Sequence, residues 1–129
     1  MEFIGRVSAD RLAEDFFTKI DFLVIPSRST NFWKEQFGRV IVESMASGVP
    51  VIGSDSGAIP EVIGEHGKIF REGDAENLAQ SIMELLSDPD SFIRYGQKGA
   101  IHARENHSLQ AYSKKLDVMY SSMLLDRLH

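Results

Sequence analysis

Phe22-Leu23-Val24-Ile25 is an uninterrupted apolar run between Asp21 and Pro26, and a second run, Val49 to Ile52, is closed by Gly53. Consecutive apolar positions in so short a segment predict strands covered on both faces, as in a parallel sheet. The residues between them, Gly38 to Ser47, carry a helical pattern that stops at Gly48, with Pro50 just beyond. Strand, helix and strand joined by short connections imply a right-handed crossover within one open sheet.

The same alternation extends to both sides. Glu2-Phe3-Ile4 is a short strand candidate ending at Gly5. Ser8 is placed to cap a helix carrying Leu12, Phe16, Phe17 and Ile20. Ile59 to Ile63 reads as a short helix with Pro60 in its first turn, and Gly67 to Phe70 as a further strand. Beyond it the chain is helical. Asp74 opens a segment with Leu78, Ile82, Leu85 and Leu86. Asp88 and Pro89 open the next, with Phe92, Ile93, Ala100 and Ile101. Ser108 opens the last, with Leu109, Tyr112, Leu116, Met119, Tyr120, Met123 and Leu124. Four strands are fewer than the roughly five or six of doubly wound domains. The first begins at residue 2, so upstream strands of the sheet are expected to be missing.

Composition narrows the classes. The 129 residues suit one domain, and 43% hydrophobic with 26% charged residues is ordinary for a globular chain with a core. There is no cysteine, which excludes a disulfide scaffold, a thiol nucleophile and thiolate-bound zinc. No apolar run approaches the roughly 20 residues of a membrane span, and no signal sequence opens the chain, so a cytoplasmic location is expected. With 14 basic and 19 acidic residues the net charge is −5, and no Lys/Arg cluster stands against it. A nucleic-acid partner is not expected, because backbone affinity needs clustered cations.

The polar stretch from Ser27 to Gln36 is long for a connection and stands at the carboxyl end of a predicted strand, where open sheets bind ligands. It leads into Gly38, which permits close backbone approach. The amides of Arg39 and Val40 then follow at the positive end of a helix dipole, an arrangement suited to an anion. Glu35 and Glu43 flank this entrance eight positions apart. From spacing alone, Arg39 and Glu43 form a surface pair at i, i+4. The alternative makes Glu43 a bidentate acceptor for neighbouring ribose hydroxyls, with Glu35 accepting from a second ring.

From Phe22 to Phe70 the chain resembles the C-terminal, donor-binding domain of family 4 retaining glycosyltransferases, which have the GT-B fold. The resemblance lies in Phe22-Leu23-Val24-Ile25-Pro26-Ser27, in the ungapped run from Glu35-Gln36-Phe37-Gly38 through Glu43-Ser44-Met45-Ala46-Ser47-Gly48-Val49-Pro50-Val51, and in Ser56-Gly57-Ala58-Ile59-Pro60-Glu61-Val62-Ile63. The family's E-x7-E element falls on Glu35 and Glu43. Phe3-Ile4-Gly5-Arg6-Val7 and the helical tail are also similar to the family.

The resemblance implies an α/β fold: an incomplete Rossmann-like parallel sheet with helices on both faces and a helical C-terminal tail. Residues 1–129 would form a single partial domain, the donor-binding half of a transferase acting on a nucleotide-diphosphate sugar with retention. Glu35 would be the catalytic carboxylate, facing the donor sugar. Phe37, Gly38, Arg39 and Val40 would offer amides to sugar and diphosphate, with Gln36 beside them. Glu43 would chelate the ribose, and Ser27, Ser56 and Gly57 would line the pocket. No metal and no cofactor are implied. The family's basic pair that grips the diphosphate, and its acceptor-binding N-terminal domain, would lie upstream of Met1, so the 129 residues are expected to be inactive alone. The alternatives are a non-catalytic nucleotide-sugar binding or assembly module, or a GT-B epimerase or phosphorylase relative.

Other signals carry less. Asp88-Pro89-Asp90 has the form of a metal-binding D-x-D, but Asp88 before Pro89 reads as a helix cap. His66, His102, His107 and His129 have no ligand spacing, and His102 and His107, in or near a helix end, are expected to be structural or exposed. Gly96 and Gly99 suggest close helix packing. Glu61 is expected to brace its short helix, and Arg28, Lys34 and Arg39 to be solvated, Arg39 assisting a phosphate in the functional reading. Phe32 and Trp33 are loop aromatics, expected to pack back onto the domain, the alternative being contact with a nucleobase or the acceptor domain. The apolar residues of the last helix read as core. If part of that face lacks a partner, a homodimer or segment swap is expected.

Overall fold

A computed structural model describes residues 3–8, 11–32 and 34–126. Its centre is a three-stranded parallel sheet in the order β1 (Leu23–Ile25), β2 (Val51–Ser54), β3 (Lys68–Phe70). Leu23 pairs with Val51, and Ile52 with Lys68. The helices are α1 (Leu12–Asp15), α2 (Arg39–Ala46), α3 (Ile59–Ile63), α4 (Ala75–Ser87), α5 (Pro89–His107) and α6 (Leu109–Asp126), with a 3-10 turn at Phe17–Lys19.

Successive residues of β2 face opposite sides, so each builds a different layer. Val51 joins Ile41 and Met45 of α2, Ile59 and Ile63 of α3, and Ala103 of α5. Ile52 joins Phe70 and Leu85, with Leu78, Ile82 and Phe92 packed around them. Helices therefore cover both faces of an open sheet, the expected fold class. Gly53 lies inside β2 because α3 presses on it: a Cβ there would stand 2.5 Å from Ile59 Cγ2 and 2.6 Å from Ile63 Cδ1.

The tight packing of α5 on α2 rests on the two glycines. A Cβ at Gly96 would meet the Gly48 carbonyl oxygen at 2.6 Å, and one at Gly99 would touch Met45. Asp74 caps α4 by accepting the Asn77 amide at 2.9 Å, and Asp88 caps α5 by accepting the Ser91 amide at 3.0 Å. Hydrogen bonds from the Ser91 hydroxyl and amide hold the Asp88 carboxyl below the usual aspartate range, which fits a cap.

Several expectations are corrected. Phe3 and Ile4 form no strand and are 85% and 57% exposed; Glu2 lies outside the described residues. Among the described residues nothing offers this segment a ladder partner, and an unpaired strand leaves its backbone groups to water. The second strand begins two residues later than expected. Val49 instead closes α2, its amide donating to the Ser44 carbonyl at 3.0 Å. The first helix is shorter than its pattern, because the Thr18 hydroxyl takes the Glu14 carbonyl and the chain tightens into a 3-10 turn. Arg11, not Ser8, holds the cap position of α1; the Ser8 carbonyl accepts the Arg11 amide at 3.1 Å.

The apolar residues of α6 do not form core. Leu116, Met119 and Met123 are exposed, and Ala111 is the buried residue of this helix among those described. Phe32 is also exposed; Trp33 and His129 lie outside the described residues.

Candidate functional site

The loops leaving all three strands are joined at the carboxyl edge of the sheet. After β1, the Ser27 carbonyl accepts the Ser54 hydroxyl at 2.7 Å, and the Ser29 hydroxyl meets that of buried Ser56 at 2.8 Å. The Ser29 amide donates to Glu72 Oε1 at 2.7 Å, and the Glu72 amide to Asp55 Oδ1 at 2.6 Å. The Arg28 guanidinium reaches the Gly73 carbonyl at 3.4 Å, so it is tied to the turn before α4.

Onto this platform the loop before α2 is pinned by its own backbone. The Glu35 carbonyl accepts the Ala58 amide at 2.9 Å. Gly57, at φ +57°, lies so close that a Cβ would collide with that carbonyl oxygen. Gly38 then turns the chain into α2 at φ +66°, in the left-handed region open to glycine. A Cβ at this position would stand 2.7 Å from Ile41 Cδ1. The Gly38 amide donates to Glu35 Oε1 at 3.0 Å. Glu35 thus fixes the turn twice, through its carbonyl and through its carboxylate.

Two concavities flank the head of α2. One is an open groove of about 620 Å³ lined by Glu43, Arg39 and Val40 on one wall and by Arg6, Val7 and Leu12 on the other. Arg39 Nη2 donates to Glu43 Oε1 at 3.3 Å; the side chains are 78% and 37% exposed. The other, of about 400 Å³, is lined by Gln36, Phe37, Glu61, His102, His107 and Lys115 among others. Glu43, Arg39 and Val40 therefore share one groove, and Gln36 and Phe37 border the second. Glu35 and Gly38 line neither concavity: Glu35 precedes Gln36 in the chain, and Gly38 stands between Phe37 and Arg39. Ser27, Ser56 and Gly57 belong to the platform beneath. Glu61 is exposed at the head of α3, and Lys34 faces solvent.

The sequence pattern did not single out Arg6, Val7 and Leu12 as a wall of the Glu43 groove. It also missed a cluster of three histidines. His66 and His102 have ring centroids 4.5 Å apart, and His102 and His107 5.3 Å apart. Burial, and then the neighbouring His102, keep His66 and His107 below the ordinary imidazole value. Among the described residues no group of three His, Cys, Asp or Glu side chains is arranged to hold a metal ion. No helix among them is long and apolar enough to cross a membrane.

Comparison with known proteins adds sequence and fold likeness. Residues 1–88 match the family model of the glycosyl transferases group 1. The chain is 31% identical over 126 residues to a lipopolysaccharide core biosynthesis mannosyltransferase of Rhizobium leguminosarum bv. viciae, a match covering 96% of this chain and 34% of that protein. Its fold is similar to that of a sucrose-phosphate synthase from Thermosynechococcus elongatus, with a TM-score of 0.78 and 27% identity over 97% of this chain and 30% of the other. It is also similar to the C-terminal domain of a glycosyl transferase group 1 family protein from Francisella tularensis, with a TM-score of 0.69 and 26% identity over 83% of this chain and 53% of that one. The chain spans about a third of the length of the mannosyltransferase, 34%.

Proposed function

The chain belongs to the group 1 glycosyltransferases, and on that premise we propose that the head of α2 binds a nucleotide-sugar donor, whose sugar is transferred with retention to an acceptor held by another domain. The observation that carries this reading is the groove in which Glu43, Arg39 and Val40 stand together beside the Gly38 turn. Val7 and Leu12 supply an apolar wall for a nucleobase. The Glu43 carboxylate, one helical turn into α2, has two oxygens for two adjacent ribose hydroxyls.

The diphosphate then lies across the helix N-terminus, where the amides of Gly38, Arg39 and Val40 and the helix dipole meet its charge. Transfer breaks the bond between the anomeric carbon and the diphosphate oxygen, so charge grows on the leaving group. Donors already oriented by the turn lower that cost without reorganising. No cofactor is part of this proposal. Glu35 faces the sugar in this reading. Its carboxylate now occupies the Gly38 amide, so the donor must displace it, and the freed oxygens accept sugar hydroxyls.

The test is thermal unfolding of the 129-residue chain with UDP, GDP and ADP against their monophosphates. One diphosphate raises Tm more than its monophosphate does, and Glu43→Ala removes the rise. Equal shifts in wild type and Glu43→Ala contradict the reading.

A further inference from the structure

The three histidines end on the proposed donor turn. His107, the last residue of α5, meets the Phe37 ring edge to face, with centroids 5.6 Å apart and planes at 68°. Phe37 is half-buried against the core and directly precedes Gly38. A line of ring contacts thus runs from His66 through His102 and His107 to Phe37.

Hydrogen bonds hold the His102 ring in place. Asn106 Nδ2 donates to the His102 carbonyl at 3.1 Å, which fixes that amide as a donor. The same Nδ2 lies 3.1 Å from His102 Nδ1. His102 Nε2 donates to the Val62 carbonyl of α3 at 3.2 Å. The Nδ1 atoms of His66 and His107 are buried with no partner among the described residues, so a proton there gains no acceptor.

The surrounding charges are mixed. Glu65 favours the charged form of His66 more than Lys98 opposes it, while Lys115 disfavours the charged form of His107. Lys115 is anchored to the Asn106 carbonyl at 3.2 Å. Glu61 is the acidic side chain lining the cavity that His102, His107 and Lys115 share. The C-terminus of α5 favours a cation at His107, and the N-terminus of α6 two residues on opposes it.

We propose that His107, packed between His102 and Phe37, is a positioning residue for the Phe37–Gly38 turn, and that proton uptake at His107 releases the turn and weakens nucleoside diphosphate binding. The ligand in this statement rests on the proposed donor site; the coupling of His107 to the turn does not.

The experiment follows histidine and backbone-amide resonances of the 129-residue chain from about pH 8 to pH 5.5, with UDP, GDP and ADP affinities at both ends. The Gly38 amide is expected to move with the midpoint of His107. The affinity of the diphosphate that binds is expected to fall at least about fivefold, the lower end of ordinary site coupling. His107→Phe keeps an aromatic edge against Phe37 and cannot titrate. It should keep the Gly38 resonance near its neutral-pH position and flatten its pH response. Its affinity at each pH also cancels the diphosphate's own protonation from the comparison.

A Gly38 amide that does not move, or one that moves equally in His107→Phe, overturns the coupling. Unchanged relative affinity of wild type and His107→Phe across this range overturns its effect on binding. If no diphosphate binds at any pH, the donor reading fails together with the binding half of the proposal, while the Gly38 titration still decides the coupling.

Discussion

The Glu35 carboxylate and the Gly38 amide form a hydrogen bond of 3.0 Å across the turn that opens α2. An acidic side chain thus satisfies one of the amides that a helix start leaves unpaired, in the place where an anionic ligand is proposed to bind. Glu35→Ala is expected to lower stability by about 1 kcal/mol, the usual order for one lost hydrogen bond. In denaturant titration Glu35→Gln, which keeps an acceptor oxygen, should lose less. In titrations of ligand, both variants should weaken nucleotide-sugar binding more than nucleoside diphosphate binding, since Glu35 is assigned to the sugar. Equal weakening of both ligands contradicts that assignment.

Gly57→Ala tests how the donor loop is held. The new methyl would collide with the Glu35 carbonyl oxygen, and the residue would sit at a positive φ. Neither atom can yield without breaking the bond from the Ala58 amide to Glu35. The variant should lose about 1–3 kcal/mol, and limited proteolysis should cut sooner between Ser27 and Gln36. A Tm and digestion pattern like those of wild type would show that the loop is not pinned there.

Much of this arrangement is legible in the residues. The apolar runs at β1 and β2 and the glycines at 38 and 48 mark strands and helix ends, because their physics is local. The caps at Asp74 and Asp88 are legible for the same reason. Val49 was misplaced because its amide serves the end of α2, a choice the apolar run cannot reveal. Phe3 and Ile4 look like a strand by propensity, but a strand needs a neighbouring edge, which is a property of the fold. Glu43 and Arg39 announce themselves by helical spacing; the opposite wall of their groove, from Arg6 to Leu12, depends on tertiary packing. The histidine cluster left no pattern, since the fold alone brings His66 to His102.

That cluster makes stability depend on pH. His66 and His107 have folded-state values below the ordinary imidazole value of about 6.5. The unfolded chain therefore binds more protons than the folded one once pH falls below that value. Stability contributed by the neutral rings is complete above about pH 6.5 and is lost as pH falls toward the folded-state values. Tm should drop between about pH 7 and pH 5.5, and a His66→Gln, His107→Gln double variant should drop less over the same interval. A parallel decline in both proteins contradicts this origin.

Glu43→Gln addresses the groove without disturbing the fold. The Arg39–Glu43 pair is exposed at 3.3 Å, and such pairs contribute about 0–1 kcal/mol. The urea midpoint should barely change. A large loss of stability would mean that Glu43 serves packing and not a ligand.

Calorimetric titration of the chain with a ribonucleoside diphosphate and its 2′-deoxy counterpart tests the ribose contact most directly. The predicted result is tighter binding of the ribo form by about tenfold or more, as expected for a lost charge-assisted hydrogen bond, with the preference gone in Glu43→Gln. Equal affinity for the two sugars in the wild-type chain would contradict it.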